Sequence, residues 1–441
     1  MTAATTSAWT RDNAGITFPT PLPIVIIGAG ASGLATAIFT RRLNPSARVV
    51  LVDGARRPGA KILVSGGGRC NVTNVRVDER DFSGGSRGFV RQVLKSLTIP
   101  ETVAFFNTIG VPLHEEADGK LFPDSGRAKQ VLDALLRESD RCGVERLDAH
   151  RVDSIERTGD TFELHSAGAT TMQARFIVLA TGGQSLPKSG SDGAGFEFAR
   201  RLGHTVVPPV PALVPLLLDP GSPLAHASIA GVSHPSEIAV WLDRRVTERV
   251  SGSLLWTHFG VSGPAALDVS RYWTRATAEG QKVQLTLNFC PGLAFDGVDA
   301  QLVRFICERP RASLHTIASG MVPAAVAVAL LRALELQPVE PSGTLTRHAR
   351  RRLAHGFTQW TLPVVGTRGY TFAEVTAGGV ALSEVDSRTL ESRVCRGLYL
   401  VGEVLDVDGR LGGFNFQWAW STGSVAARAL ATAAARSDSS S

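Results

Sequence analysis

The sequence predicts an α/β chain: a parallel-sheet domain assembled from both chain ends, with a barrel-like β domain and a small helical insert between them. Three observations carry this. Residues 23–27 (PIVII) and 49–52 (VVLV) are short continuous apolar runs, as in strands buried on both faces. The first run leads into Gly28-Ala29-Gly30-Ala31-Ser32-Gly33, and residues 34–43 follow with helical character. From Pro208 the chain changes to alternating segments separated by polar turns.

Asp53 closes the second apolar run, twenty positions past Gly33. Strand, glycines, helix, strand and acid then stand in the order of a dinucleotide-binding, Rossmann-like unit. Gly28 permits the tight turn, Gly30 lets backbone approach a pyrophosphate, and Gly33 lets the helix lie close to the strand. Ala31 and Ser32 open the helix, whose free N–H groups and positive dipole end favour phosphate. Asp53, followed by Gly54, is placed to accept hydrogen bonds from a ribose. Next come Lys61, Ser65, Gly66, Gly67, Gly68, Arg69, Cys70, Asn71, Thr73 and Asn74. A glycine triplet disfavours helix and strand interiors and suits a loop against a flat ligand. Arg69, Asn71, Thr73 and Asn74 supply donors beside it.

Helices are expected at 94–110 and 125–143, and strands at 144–147, 151–156 and 161–166. A buried strand at 175–180 ends in the turn Ala180-Thr181-Gly182-Gly183. Prolines at 208, 209, 211 and 215 mark the entry to the β domain, with strands at 237–242 and 282–289. Helices at 302–307, 324–336 and 344–355 form the helical insert. Strand character returns at 369–375 and 397–401, and a terminal helix runs over 417–431. The expected boundaries are a disordered tail at 1–20, a cofactor domain at 21–205 and 373–432, a β domain at 206–292 and 356–372, a helical insert at 293–355, and a disordered tail at 433–441.

The 441 residues, 44% hydrophobic and 20% charged, describe a soluble chain of two or three domains. No apolar run has the length of a membrane span. The first twenty residues lack a basic start followed by an apolar core, so no secretion signal is expected. Five scattered cysteines without a CxxC pair give neither a disulfide framework nor a zinc site. The expectation is a reduced, cytoplasmic protein without metal. Net charge is +6, concentrated in Arg347-His348-Ala349-Arg350-Arg351-Arg352 with His355. That run is either a solubilising helix face or a contact for RNA phosphates.

Residues 66–74 (GGGRCNVTN), with 402–409 (GEVLDVDG) and 412–419 (GGFNFQWA), resemble the bacterial BaiN/RdsA-type FAD-binding oxidoreductases. Residues 180–183, 257–264 and 377–380 match as well, so the resemblance spans roughly residues 22 to 430. It implies a glutathione-reductase-like FAD domain with two insertions. It places FAD against Thr181, Gly182, Gly183, Gly379, Gly402, Glu403, Asp408, Gly412, Gly413, Asn415 and Phe416, besides the N-terminal residues above. Similar flavoproteins usually carry Asp where this chain has Glu403. The implied reaction is reduction of a carbon–carbon double bond conjugated to a carbonyl. With no second GxGxxG after a strand, NADH or NADPH visits only transiently as electron donor. Uracil in ribosomal RNA is the first-choice substrate, giving dihydrouridine; a steroid enone is another within the family. An oxygen-using amine oxidase of aminoacetone type and a non-catalytic redox sensor are the alternatives. Oligomeric state is not legible.

Cys70 and His258 are the catalytic candidates. Cys70 stands beside Arg69, where a thiolate is favoured, and is placed to pass a proton to uracil C5 as hydride reaches C6. It is equally an ordinary buried thiol. His258, in Thr257-His258-Phe259-Gly260, is a proton donor or anion binder, or a plain loop histidine. Lys120 and Arg127 are candidates for the substrate side, and both are also ordinary surface charges. Trp418 and Trp420 pack on the ring or on the sheet. The other four cysteines read as core.

Overall fold

The computed structural model describes residues 11–12, 15–16, 22–166, 172–224 and 226–438. Of the expected N-terminal tail, two short paired strands, Arg11–Asp12 and Gly15–Ile16, fall within them. The chain divides into two compact units, Met1–Pro209 with Val375–Ser441, and Val210–Glu374.

The first unit is built on a five-stranded parallel sheet. Its order is Leu398–Leu400, Phe176–Leu179, Ile24–Ile27, Val49–Val52, Glu145–Leu147. The central strands are buried along their whole length, as their unbroken apolar composition requires. Helix Ala31–Leu43 follows the first strand and lies along the terminal helix Phe414–Asp438. Gly423 makes that approach possible: a Cβ there stands 2.8 Å from the Ala35 Cβ and 3.0 Å from the Thr36 nitrogen. The terminal helix reaches Asp438, past the point where a tail is expected, and Ser439–Ser441 lie outside the described residues. The single helix expected at 94–110 is two, Arg87–Leu94 and Ile99–Thr108. Thr98 and Glu101 form a capping box and Pro100 sits in the first turn, signals that start a new helix there.

The second unit is an antiparallel sheet with helices on one core. The order is Trp360–Leu362, Val283–Asn288, Ser233–Leu242, Arg245–Thr257, Gly260–Ser262, Leu216–Leu218, Val364–Thr367. Its two end strands are successive halves of one extended run interrupted at Pro363, so residues 360–367 pair with both edges and close the sheet as a barrel. The long hairpin turns at Asp243 and Arg244, with φ of 47° and 64°. Positive φ at both positions is the two-residue turn that matches strand twist, here without the usual glycine. Helix Gly263–Ala278 starts with Pro264 in its first turn and was not foreseen. Helices Phe295–Glu308, Leu314–Ser319, Ala324–Ala333 and Arg347–Thr358 share one hydrophobic core with the sheet, through Trp256, Leu285, Val298, Leu330 and Phe357. The helical part is therefore not a separately cored insert. The strand expected at 369–375 is instead a turn, followed by strand Val375–Val380. Among the described residues no helix is long and apolar enough to cross a membrane.

Candidate cofactor site

The residues expected on the cofactor all lie in the first unit, at turns that follow the carboxyl ends of its parallel strands or on segments packed against them. That edge is where open α/β sheets bind ligands. Gly28 has φ of 107°, and a Cβ there falls 2.4 Å from the Ala180 carbonyl oxygen. The first glycine turn and the Ala180–Gly183 turn are thus in direct backbone contact. Gly30 differs: its φ is −81°, and a Cβ there meets nothing within 4 Å. The approach to the helix N-terminus at this point is open, with room for a phosphate group.

Asp53 gives its carboxylate to the chain itself. Oδ2 accepts from the Ala29 N–H at 2.7 Å and Oδ1 from the Ala55 N–H at 2.7 Å. Each oxygen retains a second lone pair for a ribose hydroxyl. Gly54 follows, exposed.

The glycine triplet closes a short helix. Residues 60–64 are helical, Ser65 turns to ψ of 147°, and Gly66, Gly67 and Gly68 take φ of 56°, 69° and 85°. Cys70 continues the left-handed run with φ of 63°, and its N–H bonds the Ser65 carbonyl at 3.0 Å. The Cys70 side chain is fully buried, and burial pushes its thiol up to about 12. This corrects the thiolate expectation. The Arg69 guanidinium turns away to pair with Glu116 at 2.7 Å and lies 4.1 Å over the Phe122 ring.

Lys61 Nζ reaches Glu403 Oε2 at 2.5 Å and Ser185 Oγ at 2.7 Å. Glu403 Oε1 accepts from Ser185 Oγ at 3.0 Å and from the Thr376 N–H at 2.9 Å. The Thr376 hydroxyl in turn accepts from the Gln184 and Ser185 N–H groups, at 2.7 and 3.1 Å. Lys61, Thr376, Ser185 and Glu403 thus tie four separate segments into one polar cluster. Thr376 and Ser185 were missed because isolated hydroxyls carry no spacing signal. Gly402 brings its backbone beside the first helix, a Cβ there standing 2.6 Å from Ser32 Oγ.

At the C-terminal glycines, Asn74 Nδ2 donates to the Gly412 and Asp118 carbonyls at 3.1 and 3.0 Å. Thr73 Oγ1 donates to Gln417 Oε1 at 2.8 Å, and Gln417 Nε2 holds the Leu97 carbonyl at 2.9 Å. Gln417 is a buried organiser that the sequence reading passed over, although a glutamine inside an apolar helix start is a visible oddity. Asn415 exchanges two bonds with the Gly409 backbone, at 2.8 and 2.9 Å, which fixes the loop. Asp408 is buried on strand Val407–Gly409, which pairs with Phe82–Gly84. Gly379 packs on the Val404 carbonyl. Phe416 stacks on Trp420 at 5.6 Å. Trp418 and Trp420 are buried and donate to the Gly402 and Val72 carbonyls at 3.1 and 2.9 Å, so they serve the chain.

In this region Asn71 Oδ1 and Thr181 Oγ1 are buried with no hydrogen-bond partner among the described residues. A Cβ on Gly413 falls 2.9 Å from Asn71 Oδ1, so the orphan acceptor lies at the glycine turn that opens the terminal helix. Buried polar atoms left open in this way are expected where a ligand completes the hydrogen bonding. With the open Gly30 approach, the residues present fit a dinucleotide.

The HI0933-like protein Rossmann domain family matches residues 22–429. The chain belongs to this family. It is 35% identical over 408 residues to a 3-dehydro-bile acid delta(4,6)-reductase of Clostridium scindens, covering 92% of this chain and 98% of that protein. It is 36% identical over 417 residues to a ribosomal RNA dihydrouridine synthase of Escherichia coli, covering 93% and 98%. The corresponding synthase of Haemophilus influenzae is 33% identical over 401 residues, covering 90% and 96%. The chain is an FAD-dependent oxidoreductase.

His258 lies in the second unit, at the exposed tip of a two-residue turn between the paired Thr257 and Gly260. Buried His226 bonds the His258 carbonyl, and Arg368 lies 4.7 Å over the neighbouring Phe259 ring. The turn is held from both sides while its imidazole faces outward. Lys120 pairs with Asp118 at 3.0 Å, and Arg127 is exposed ahead of helix Ala128–Arg141. Cys290 and Cys395 are buried, Cys142 is half-buried, and Cys307 is exposed, contrary to its reading as core.

Proposed function

We propose that this protein reduces a carbon–carbon double bond conjugated to a carbonyl, taking electrons from NADH or NADPH, with uracil in ribosomal RNA as its substrate. The observation that carries this is the near full-length match to proteins named for such reductions, two of them acting on ribosomal RNA. FAD, when bound, supplies the hydride that adds to the carbon β to the carbonyl.

The chain's own residues have distinct tasks in this reading. Gly28 to Gly33, Thr181 to Gly183 and the Lys61–Glu403 cluster hold the dinucleotide. Asn71 and the Gly412–Gly413 turn hold the flavin edge. Cys70 keeps its proton at neutral pH because burial disfavours the thiolate, which suits a proton donor to the α carbon and not a nucleophile. Both added hydrogens are then accounted for, one as hydride and one as proton.

The bile acid reductase relative favours a second reading, a small enone substrate. One experiment separates the two. Purified protein is incubated with NADPH or NADH and either an unmodified large-subunit ribosomal RNA transcript or a steroid enone. Dihydrouridine in the transcript supports the first reading. Enone reduction with an unaltered transcript replaces it with the second.

A further inference from the structure

We infer that helix Arg347–Thr358 is a phosphate-contacting surface for the RNA substrate. The inference rests on the RNA reading above and gives it a docking element. The helix contains no acidic residue. Its buried side is Leu353, Ala354 and Phe357. Its exposed side carries Arg347, His348, Arg351, Arg352 and His355. Positions 347, 351 and 355 and positions 348 and 352 repeat every four residues, so the five side chains form one stripe. The stripe is roughly 12 Å long, enough to span a few phosphates of one strand.

The remaining arginine shows what an internal role looks like. Arg350 is half-buried and makes a two-pronged pair with Asp299, at 2.8 and 3.1 Å. The stripe is held differently. Arg351 lies 4.8 Å over the Phe295 ring, His355 packs on the same ring at 4.3 Å, and Arg352 donates to the Leu334 carbonyl. These contacts orient the Arg351 and Arg352 guanidinium groups, which have no acidic partner among the described residues. Thr346 caps the helix by accepting the Ala349 N–H at 3.2 Å, so the array is anchored at its start. Arginines in a row with no acidic partner among the described residues complement a polyanion, and their forks suit phosphate oxygens.

The test compares wild type, the triple variant R347A/R351A/R352A and the triple variant R347K/R351K/R352K. Affinity for an unmodified large-subunit ribosomal RNA fragment is measured over a salt series. Thermal midpoints and flavin absorbance establish that each variant is folded. The alanine variant is expected to lose about tenfold or more in affinity at low salt, and the slope of log affinity against log salt is expected to fall by about two to three. The lysine variant keeps most of the slope. A wild-type slope in the alanine variant overturns the inference and leaves the RNA reading standing. Equal losses in both variants overturn it too, because charge is then not what binds. If wild type neither binds nor modifies the RNA, the reading and the inference fall together.

Discussion

The ammonium of Lys61 sits 2.5 Å from Glu403 Oε2, joining the segment ahead of the glycine triplet to the turn after the last sheet strand. Both side chains are mostly shielded from solvent, at 27% and 19% exposure. Removing one partner leaves the other charge with too few hydrogen bonds. Lys61→Met is expected to lower stability by about 1–3 kcal/mol, and Lys61→Arg by less. Urea unfolding midpoints of the two variants measure this. A wild-type midpoint for Lys61→Met would reduce the pair to an incidental contact.

Gly30 separates folding from cofactor binding. The protein itself leaves room for a side chain there, so Gly30→Val should fold with a melting temperature near that of the wild-type apoprotein. The valine occupies the approach assigned to the pyrophosphate, so bound FAD should be lost. Flavin content per chain and the apoprotein melting temperature are the two readouts. Full yellow colour in the variant contradicts the assignment.

Cys70 and Cys307 make opposite predictions for thiol chemistry. Cys70 is buried with its thiol held protonated, whereas Cys307 is exposed. An alkylating reagent at pH 8 should label exposed Cys307 readily and buried Cys70 far more slowly. Cys70→Ala should retain FAD and lose turnover. Peptide mapping and steady-state rates check both, and undiminished turnover makes Cys70 a packing residue.

Glu138 predicts an acid-sensitive contribution to stability. Arg141 and Arg42 bond its carboxyl and lower its pKa from 4.5 to about 2. A depressed folded-state value stabilises at pH above the unfolded value. The contribution is therefore complete above about pH 4.5 and is lost as pH falls toward 2. Glu138→Gln should be less stable than wild type at pH 7, with the difference shrinking through that window. Denaturation midpoints at pH 7, 4 and 3 test it, and a pH-independent difference excludes the linkage.

The sheet and its glycine turns were legible because their causes are local. Unbroken apolar runs, the spacing from Gly28 to Gly33 and an acid at Asp53 each have one structural meaning. The hydrogen-bond commitments were not legible. Nothing in the sequence indicates that Asn74 bonds the Gly412 carbonyl or that Arg69 turns to Glu116, since both depend on segments that meet only in the fold. The hairpin at Asp243 and Arg244 escaped notice because it lacks glycine. The expected helix over 94–110 is interrupted because the capping box at Thr98 and Glu101 starts a new helix there. The barrel closure through residues 360–367 required knowing both partners of one strand run.

Anaerobic stopped-flow spectroscopy of the FAD-loaded protein tests the central claim most directly. It is mixed first with NADPH or NADH and then with an unmodified large-subunit ribosomal RNA transcript. Rapid flavin bleaching by a nicotinamide is expected, followed by recovery of the yellow form as dihydrouridine accumulates. A flavin that neither nicotinamide bleaches, or a reduced flavin that the transcript leaves unchanged, contradicts it.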